Sequence, residues 1–255
     1  MKKLLLILIS VPFLFGCAAE HKKKNDLSEL NLKGHVKSVK VSSYQAVNKL
    51  GYITKGSVRF DNSFDDEPSR KFTNNGNLIE VDSYELDGTI LWKTIYKLDE
   101  KGRKIESNDY KSNGTLDWKT IYNLDDKGNL IHSIYYNSDG TLSGKTIYKV
   151  DNKGYLIESN YYNSDGTLRG KEIYKRDKRG NIIEKVSPRS IMCRAICKLD
   201  DKGNKLESDI YNSDGTLERK KTFKYTFDKE NNWVKRIDYK NNIPTFILER
   251  EIEYY

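Results

Sequence analysis

Cysteine, proline, methionine and histidine are all scarce in this 255-residue chain, at three, four, two and three residues. Three cysteines cannot build the dense disulfide scaffold of a small secreted domain. His21, His35 and His132 are scattered, and no spacing gathers them into a metal set or a catalytic group. A Gly-rich phosphate loop, a Ser nucleophile motif and an acid pair in a distinctive context are all missing as well. No enzyme activity and no cofactor are therefore expected. Long apolar runs are absent apart from one near the start.

That run extends from Leu4 to Phe15, after Lys2 and Lys3, and is interrupted only by Ser10 and Pro12. It is too short to cross a bilayer as a helix, which takes about 20 residues. A basic start, a short apolar stretch and small residues at its end make a secretory signal. The run closes in Leu14-Phe15-Gly16-Cys17, which resembles the lipobox of bacterial lipoproteins; Phe15 departs from the usual pattern, and Gly16 and Cys17 fit it. The resemblance implies cleavage before Cys17 and acylation of that cysteine, and two acyl chains suffice for stable anchoring. The expected address is the cell envelope, at the outer membrane if the host has two membranes, because Ala18 stands where inner-membrane lipoproteins often carry Asp.

Without Lys2 and Lys3 the chain keeps 43 basic against 37 acidic residues, a net charge of +6. The charge is spread along the chain, and the longest lysine run, Lys22-Lys23-Lys24, lies just after Cys17. It reads as part of a flexible polar tether over 18–29, close to anionic headgroups. Nucleic acid is not an expected partner of such a lipoprotein. Eighteen Tyr residues with few Leu and Val indicate a thin core of the half-buried, pleated kind.

Internal repetition is strong. Gly88, Gly114, Gly140 and Gly166 are spaced by 26 residues, and so are Gly76, Gly102, Gly128, Gly154 and Gly180. The first series sits in turns such as Asn137-Ser-Asp-Gly-Thr141, the second in turns such as Asp125-Asp-Lys-Gly-Asn129. Asp and Asn start such turns and Gly supplies the positive φ that closes them. Segments rich in β-branched and aromatic residues lie between. The expected fold is all-β: an elongated antiparallel meander of hairpin repeats, as a twisted or rolled single sheet. Residues 84–210 form the repeats, 30–83 an N-terminal β cap with an irregular acidic loop from Asp61 to Pro68, and 211–255 the last repeat and a C-terminal cap. The unit from Pro188 to Ile210 is three residues short and has lost its first turn.

Alternation assigns faces. Leu116, Trp118, Thr120, Tyr122 and Leu124 share one face, on which Tyr96, Tyr122, Tyr148 and Tyr174 align as a packing column. Lys93, Lys119, Lys145 and Lys171 align on the other, a solvated face, with His132 in a column otherwise held by Glu106, Glu158 and Glu184. Trp92, Trp118, Gly144 and Gly170 form a further column. Two indoles beside a glycine floor suit stacking on sugar rings, with Tyr96 and Tyr122 next to them; alternatively, both Trp fill a wider part of the core. Cys193 and Cys197 lie four residues apart along one strand, about 13 Å, whereas bridged Cα atoms lie within about 7 Å. They are expected not to pair with each other.

The segments Tyr96-Lys-Leu-Asp-Glu-Lys-Gly102, Tyr122-Asn-Leu-Asp-Asp-Lys-Gly128 and Tyr148-Lys-Val-Asp-Asn-Lys-Gly154 share the form Y-x-x-D-x-x-G. This resembles the YD repeat of the rearrangement-hotspot (RHS) family over about Tyr84 to Ile237, although only Arg103 supplies the Arg that follows the glycine in that family. The resemblance implies a surface β-repeat structure, with carbohydrate binding in some members. The expected function is that of a membrane-anchored, non-enzymatic protein presenting a surface to a glycan or an envelope protein. A structural or envelope-assembly role is the alternative, and a glycan-active enzyme the weakest reading.

Overall fold

The computed structural model describes residues 25–58, 68–84, 88–178, 180–187 and 193–255. Cys17, the apolar run before it, His21, the triple lysine and the acidic loop up to Glu67 lie outside these residues. A single helical turn, α1 (Asp26–Glu29), precedes seventeen strands. They are β1 (Val36–Lys49), β2 (Tyr52–Val58), β3 (Ser69–Phe72), β4 (Leu78–Tyr84), β5 (Ile90–Leu98), β6 (Lys104–Lys111), β7 (Leu116–Leu124), β8 (Leu130–Asn137) and β9 (Leu142–Val150). There follow β10 (Leu156–Asn163), β11 (Leu168–Arg176), β12 (Ile182–Ser187), β13 (Cys193–Leu199), β14 (Lys205–Tyr211), β15 (Leu217–Phe227), β16 (Trp233–Lys240) and β17 (Ile243–Tyr254).

From β3 to β17 each strand pairs antiparallel with the next, and β17 pairs back onto β1 from Val36 to Gln45. The opposite edge of β1 is shared, its start by β3 (Ser38↔Lys71) and its end by β2 (Lys49↔Tyr52). β1 and β3 to β17 therefore close a ring of sixteen strands. The meander and its rolling agree with the sequence; the elongated body with two capped ends does not. The segments read as caps contain the complementary edges β1 and β17, and pairing them removes both exposed edges of the sheet at once.

The repeat predicts the turns closely. In the Asp125 turn, the carboxylate accepts from Asn129 N at 2.7 Å and from Asn129 Nδ2 at 2.8 Å. In the Asn137 turn, Asp139 Oδ1 accepts from Thr141 N and Oγ1 at 2.9 and 2.6 Å. Because strands alternate in direction, the two turn series lie at opposite ends of the barrel. The damaged unit keeps its pairing: β12 and β13 run side by side from Glu184↔Ile196 to Ser187↔Cys193. Cys193 and Cys197 both lie in β13, and Cys197 is a free thiol whose Sγ lies 3.9 Å from Ser208 Oγ.

The chain from Asn25 to Lys33, whose first half had read as tether, is bound to the end of the barrel that holds the Asp-x-x-Gly turns. Leu27 N–H donates to Gly76 O at 3.3 Å, Asp26 accepts from Leu78 N at 2.6 Å and from Lys104 Nζ at 2.7 Å, and Asn31 Nδ2 donates to Asn204 Oδ1 at 2.9 Å. The β3–β4 and β13–β14 turns are six strands apart, roughly 30–40 Å along the perimeter. Five residues from Leu27 to Asn31 reach at most roughly 18 Å. The two turns therefore approach one another across the mouth, and the segment clasps it. Leu27 and Leu32 pack beneath it on Val36, Val39, Phe72, Leu78 and Val81, with Tyr96 and Tyr254 alongside. This fixes the inner face: it is the one bearing the Tyr column.

The outer face carries ion pairs. Glu80 receives Lys71 and Lys93 at 2.5 and 3.2 Å, Glu106 receives Lys119 at 3.1 Å, and Glu158 receives Lys149 and Lys171 at 2.7 and 2.8 Å. Where His132 replaces Glu in that column, Lys145 lies instead over the Tyr162 ring, 5.5 Å from its centroid.

Candidate functional site at the open mouth

The inner wall is a grid of hydroxyls. Across the strands Tyr96 faces Ser107, Ser107 faces Thr120, Tyr122 faces Ser133, Ser133 faces Thr146 and Tyr148 faces Ser159. The small residues are covered by the phenols, leaving Ser133 and Thr146 with no exposed surface. Ser107 Oγ lies 3.0 Å from Tyr122 OH, Ser133 Oγ 3.2 Å from Tyr148 OH, and Thr146 Oγ1 2.8 Å from Tyr135 OH. Burial raises the Tyr96, Tyr122 and Tyr148 phenols above their ordinary pKa, so they remain protonated donors at neutral pH and further into the alkaline range than a free phenol.

In one place the grid changes chemistry. Glu172 replaces the Thr of three earlier units, and Lys185 replaces the Ser. Lys185 Nζ lies 2.7 Å from Glu172 Oε1, and Tyr161 and Tyr174 donate to Oε2 at 2.7 and 2.6 Å. Burial alone would raise the Glu172 pKa; the hydrogen bonds from Lys185, Tyr174 and Tyr161 outweigh it and hold the carboxyl below its usual value. Sequence reasoning passed over this pair. The signal was there: Lys-Thr-Ile-Tyr becomes Lys171-Glu172-Ile173-Tyr174 in the fourth unit.

At the unclasped end the wall opens. Trp92 and Trp118 sit on the inner face and remain 37% and 41% exposed, so they do not fill the core. Each borders its own cavity. Trp92 lines about 710 Å³ with Thr94, Asp109, Lys111 and Asp117, and Trp118 lines about 240 Å³ with Tyr135, Gly144, Tyr161 and Arg169. The hydroxyl of Thr94 donates to Asp109 Oδ1. Burial raises the Asp109 pKa, the Thr94 hydrogen bond lowers it and nearby Asp117 raises it; the net shift is upward.

Of the four ligand-binding candidates, Trp92 and Trp118 thus stand at the mouth but in separate cavities. Tyr96 packs against the clasped core, and Tyr122 is held by Ser107; neither lines either of these two cavities. Gly144 has a steric reason to lack a side chain, since a Cβ there would meet Tyr162 O at 2.4 Å. Among the described residues no group of His, Cys, Asp and Glu is placed to hold a metal ion, and no helix is long and apolar enough to cross a membrane.

In sequence, no family model and no curated protein matches the chain. Among solved structures, a porin-like protein from Bacteroides uniformis ATCC 8492 superposes with a TM-score of 0.55 at 9% identity, over 87% of this chain and 98% of that one. A porin-like protein from Bacteroides vulgatus ATCC 8482 gives 0.40 at 12% identity, over 87% and 99% of the two chains. The Photorhabdus luminescens Tc holotoxin pore gives 0.32 at 13% identity, over 83% of this chain and 15% of that one. The first likeness is one of fold, a β-barrel. The other two are too weak to argue from, so the RHS resemblance stands on its Y-x-x-D-x-x-G spacing alone.

Proposed function

We propose that this is a lipid-anchored, non-enzymatic envelope protein whose barrel stands in water and binds a glycan at its open mouth. The observation that carries the reading is the pair of half-exposed indoles, Trp92 and Trp118, on the inner wall, each lining a cavity that also holds charged side chains. A flat aromatic face covers the C–H face of a sugar ring, and neighbouring polar groups such as Asp109 and Lys111 take its hydroxyls. Cys17 supplies the anchor, and residues 18–24 lead from it to the clasp.

The outer face supports the aqueous setting. A bilayer-spanning barrel presents an apolar band to lipid, and each Lys at the midplane costs roughly 2–4 kcal/mol. Here Lys93, Lys119, Lys145 and Lys171 occupy the middle of alternate strands on the outer face, where Lys93, Lys119 and Lys171 pair with Glu80, Glu106 and Glu158. A glycan array probed with the purified protein tests the binding. A saccharide hit is expected, and Trp92→Ala and Trp118→Ala should each weaken it at least about tenfold, the loss of one stacked ring. An array without hits, or hits indifferent to both substitutions, contradicts the reading.

A further inference from the structure

Along the mouth row, large and small residues face one another across the strands. Gly144 stands opposite Tyr135, Gly170 opposite Tyr161 and Ser83 opposite Trp92. In the remaining pair Trp118 stands opposite Asp109. Each bulky ring needs a small partner, and glycine or serine supplies one without introducing charge. Size therefore explains why position 109 is not Tyr, as positions 135 and 161 are. It does not explain why position 109 is an acid, since Ser83 meets the same need beside Trp92.

The charge has no counterpart in the protein. Thr94 donates to Oδ1, and Oδ2 is left without a protein donor. Among the described residues no cation pairs with Asp109; Lys111, on the wall of the same cavity, is engaged by Asp117 at 3.1 Å. The cavity of about 710 Å³ beside Trp92 thus holds two carboxylates against one ammonium. A half-buried carboxylate without a cation works against folding. β6 carries Asp109 between the two tryptophan strands, with Trp118 directly across from it and Trp92 diagonally across, two residues before its partner Thr94.

We propose that the glycan taken at this mouth carries a free amine, and that Asp109 holds its ammonium group against the Trp92 indole. The inference rests on the glycan reading above and adds the charge of the group that Asp109 receives, an ammonium in place of one of the hydroxyls. A hydroxyl would satisfy Oδ2 and leave the charge uncompensated. An ammonium forms a charge-assisted hydrogen bond, about twice as strong as a neutral one, and is attracted to the face of an indole as well. Acetylation of the amine removes its charge and with it both gains. An acid that the fold does not require is thereby explained by binding.

The test is a glycan array that includes glucosamine oligomers beside their N-acetylated counterparts, probed in weakly acidic buffer, where the amine is protonated. Wild-type protein and Asp109→Asn are compared; asparagine keeps the shape and an acceptor for Thr94 and removes the charge. The free-amine oligomers should bind the wild type at least about tenfold better than the acetylated ones. Asp109→Asn should abolish that preference while keeping or raising the melting temperature, since an uncompensated charge is removed. Equal binding of the two forms, hits confined to saccharides without an amine, or a preference that survives in Asp109→Asn overturns the inference and leaves the glycan reading in place. An array with no hits of any kind overturns both. An Asp109→Asn variant that melts below wild type assigns the acid a structural role and also overturns the inference.

Discussion

At the scale of single residues, Glu172 and Lys185 are the informative pair. A carboxylate and an ammonium replace two hydroxyls in an otherwise regular grid, and two tyrosines complete the coordination of the carboxylate. Removing one partner leaves a half-buried charge with fewer donors, whereas removing both restores the chemistry of the preceding units. Lys185→Ser should therefore cost about 1–3 kcal/mol, an effect moderated because Lys185 is 39% exposed. Glu172→Thr added to it should recover most of that loss, since replacing a whole buried pair is often neutral. Urea denaturation of the two single variants and the double variant measures the coupling; strict additivity would contradict it. The same pair marks the limit of what the repeat reveals. The Glu in a column otherwise held by Thr is visible in the sequence, but its meaning emerges only when Lys185, opposite Tyr174, is found diagonally beside it.

At the scale of elements, the two turn series look alike in sequence and differ in space. Gly140 and Gly154 both have φ near +80°, at +82° and +81°, so alanine is strained at either. A Cβ at Gly140 meets nothing, whereas one at Gly154 would lie 2.6 Å from Asn129 Oδ1. Gly154→Ala should accordingly lower the melting temperature more than Gly140→Ala, and equal losses would contradict the interlocking of neighbouring turns at the clasped end. Strands, turns, their 26-residue unit and the two faces were all legible, because alternation and turn chemistry are local. Closure was not, because the complementarity of β1 and β17 joins residues more than two hundred positions apart, as in Val39↔Ile252. The outer ladders were half legible as Lys and Glu columns. In them, hydrogen bonds from Lys149, Lys171 and Asn160 hold the Glu158 carboxyl at about 2, against an ordinary 4.5. A pKa lowered by folding contributes stability above the unfolded value and loses it as pH falls from about 4.5 through about 2. An NMR titration should find the Glu158 midpoint near the lower figure, and Lys171→Met should move it upward.

At the scale of the whole molecule, a closed sheet with a hydroxyl grid inside carries charged ladders on its outer face, where a bilayer demands an apolar band of a barrel. On the function proposed above, attachment to a membrane comes from the chain's start and not from its wall. The clasp gives this arrangement a mechanical logic: the residues that follow the tether are the ones that draw the β3–β4, β13–β14 and β15–β16 turns together. Lys33 N donates to Asn232 Oδ1 at 2.8 Å, Asn232 Nδ2 returns to Lys33 O at 2.9 Å, and Tyr254 OH donates to Asp228 at 2.6 Å. Burial and that bond to Asp228 push the Tyr254 phenol up to about 12, which keeps it a donor. On the proposed anchor at Cys17, the anchored end of the barrel is its clasped end, and the tryptophan mouth faces away from the lipid. Cys17→Ala, expressed with its leader, should move the protein from the membrane fraction to the soluble fraction in folded form, as judged by retained β circular dichroism. A barrel that spanned the bilayer would stay in the membrane without its lipid, and finding folded variant there after a carbonate wash would contradict both the anchor at Cys17 and the aqueous setting of the wall.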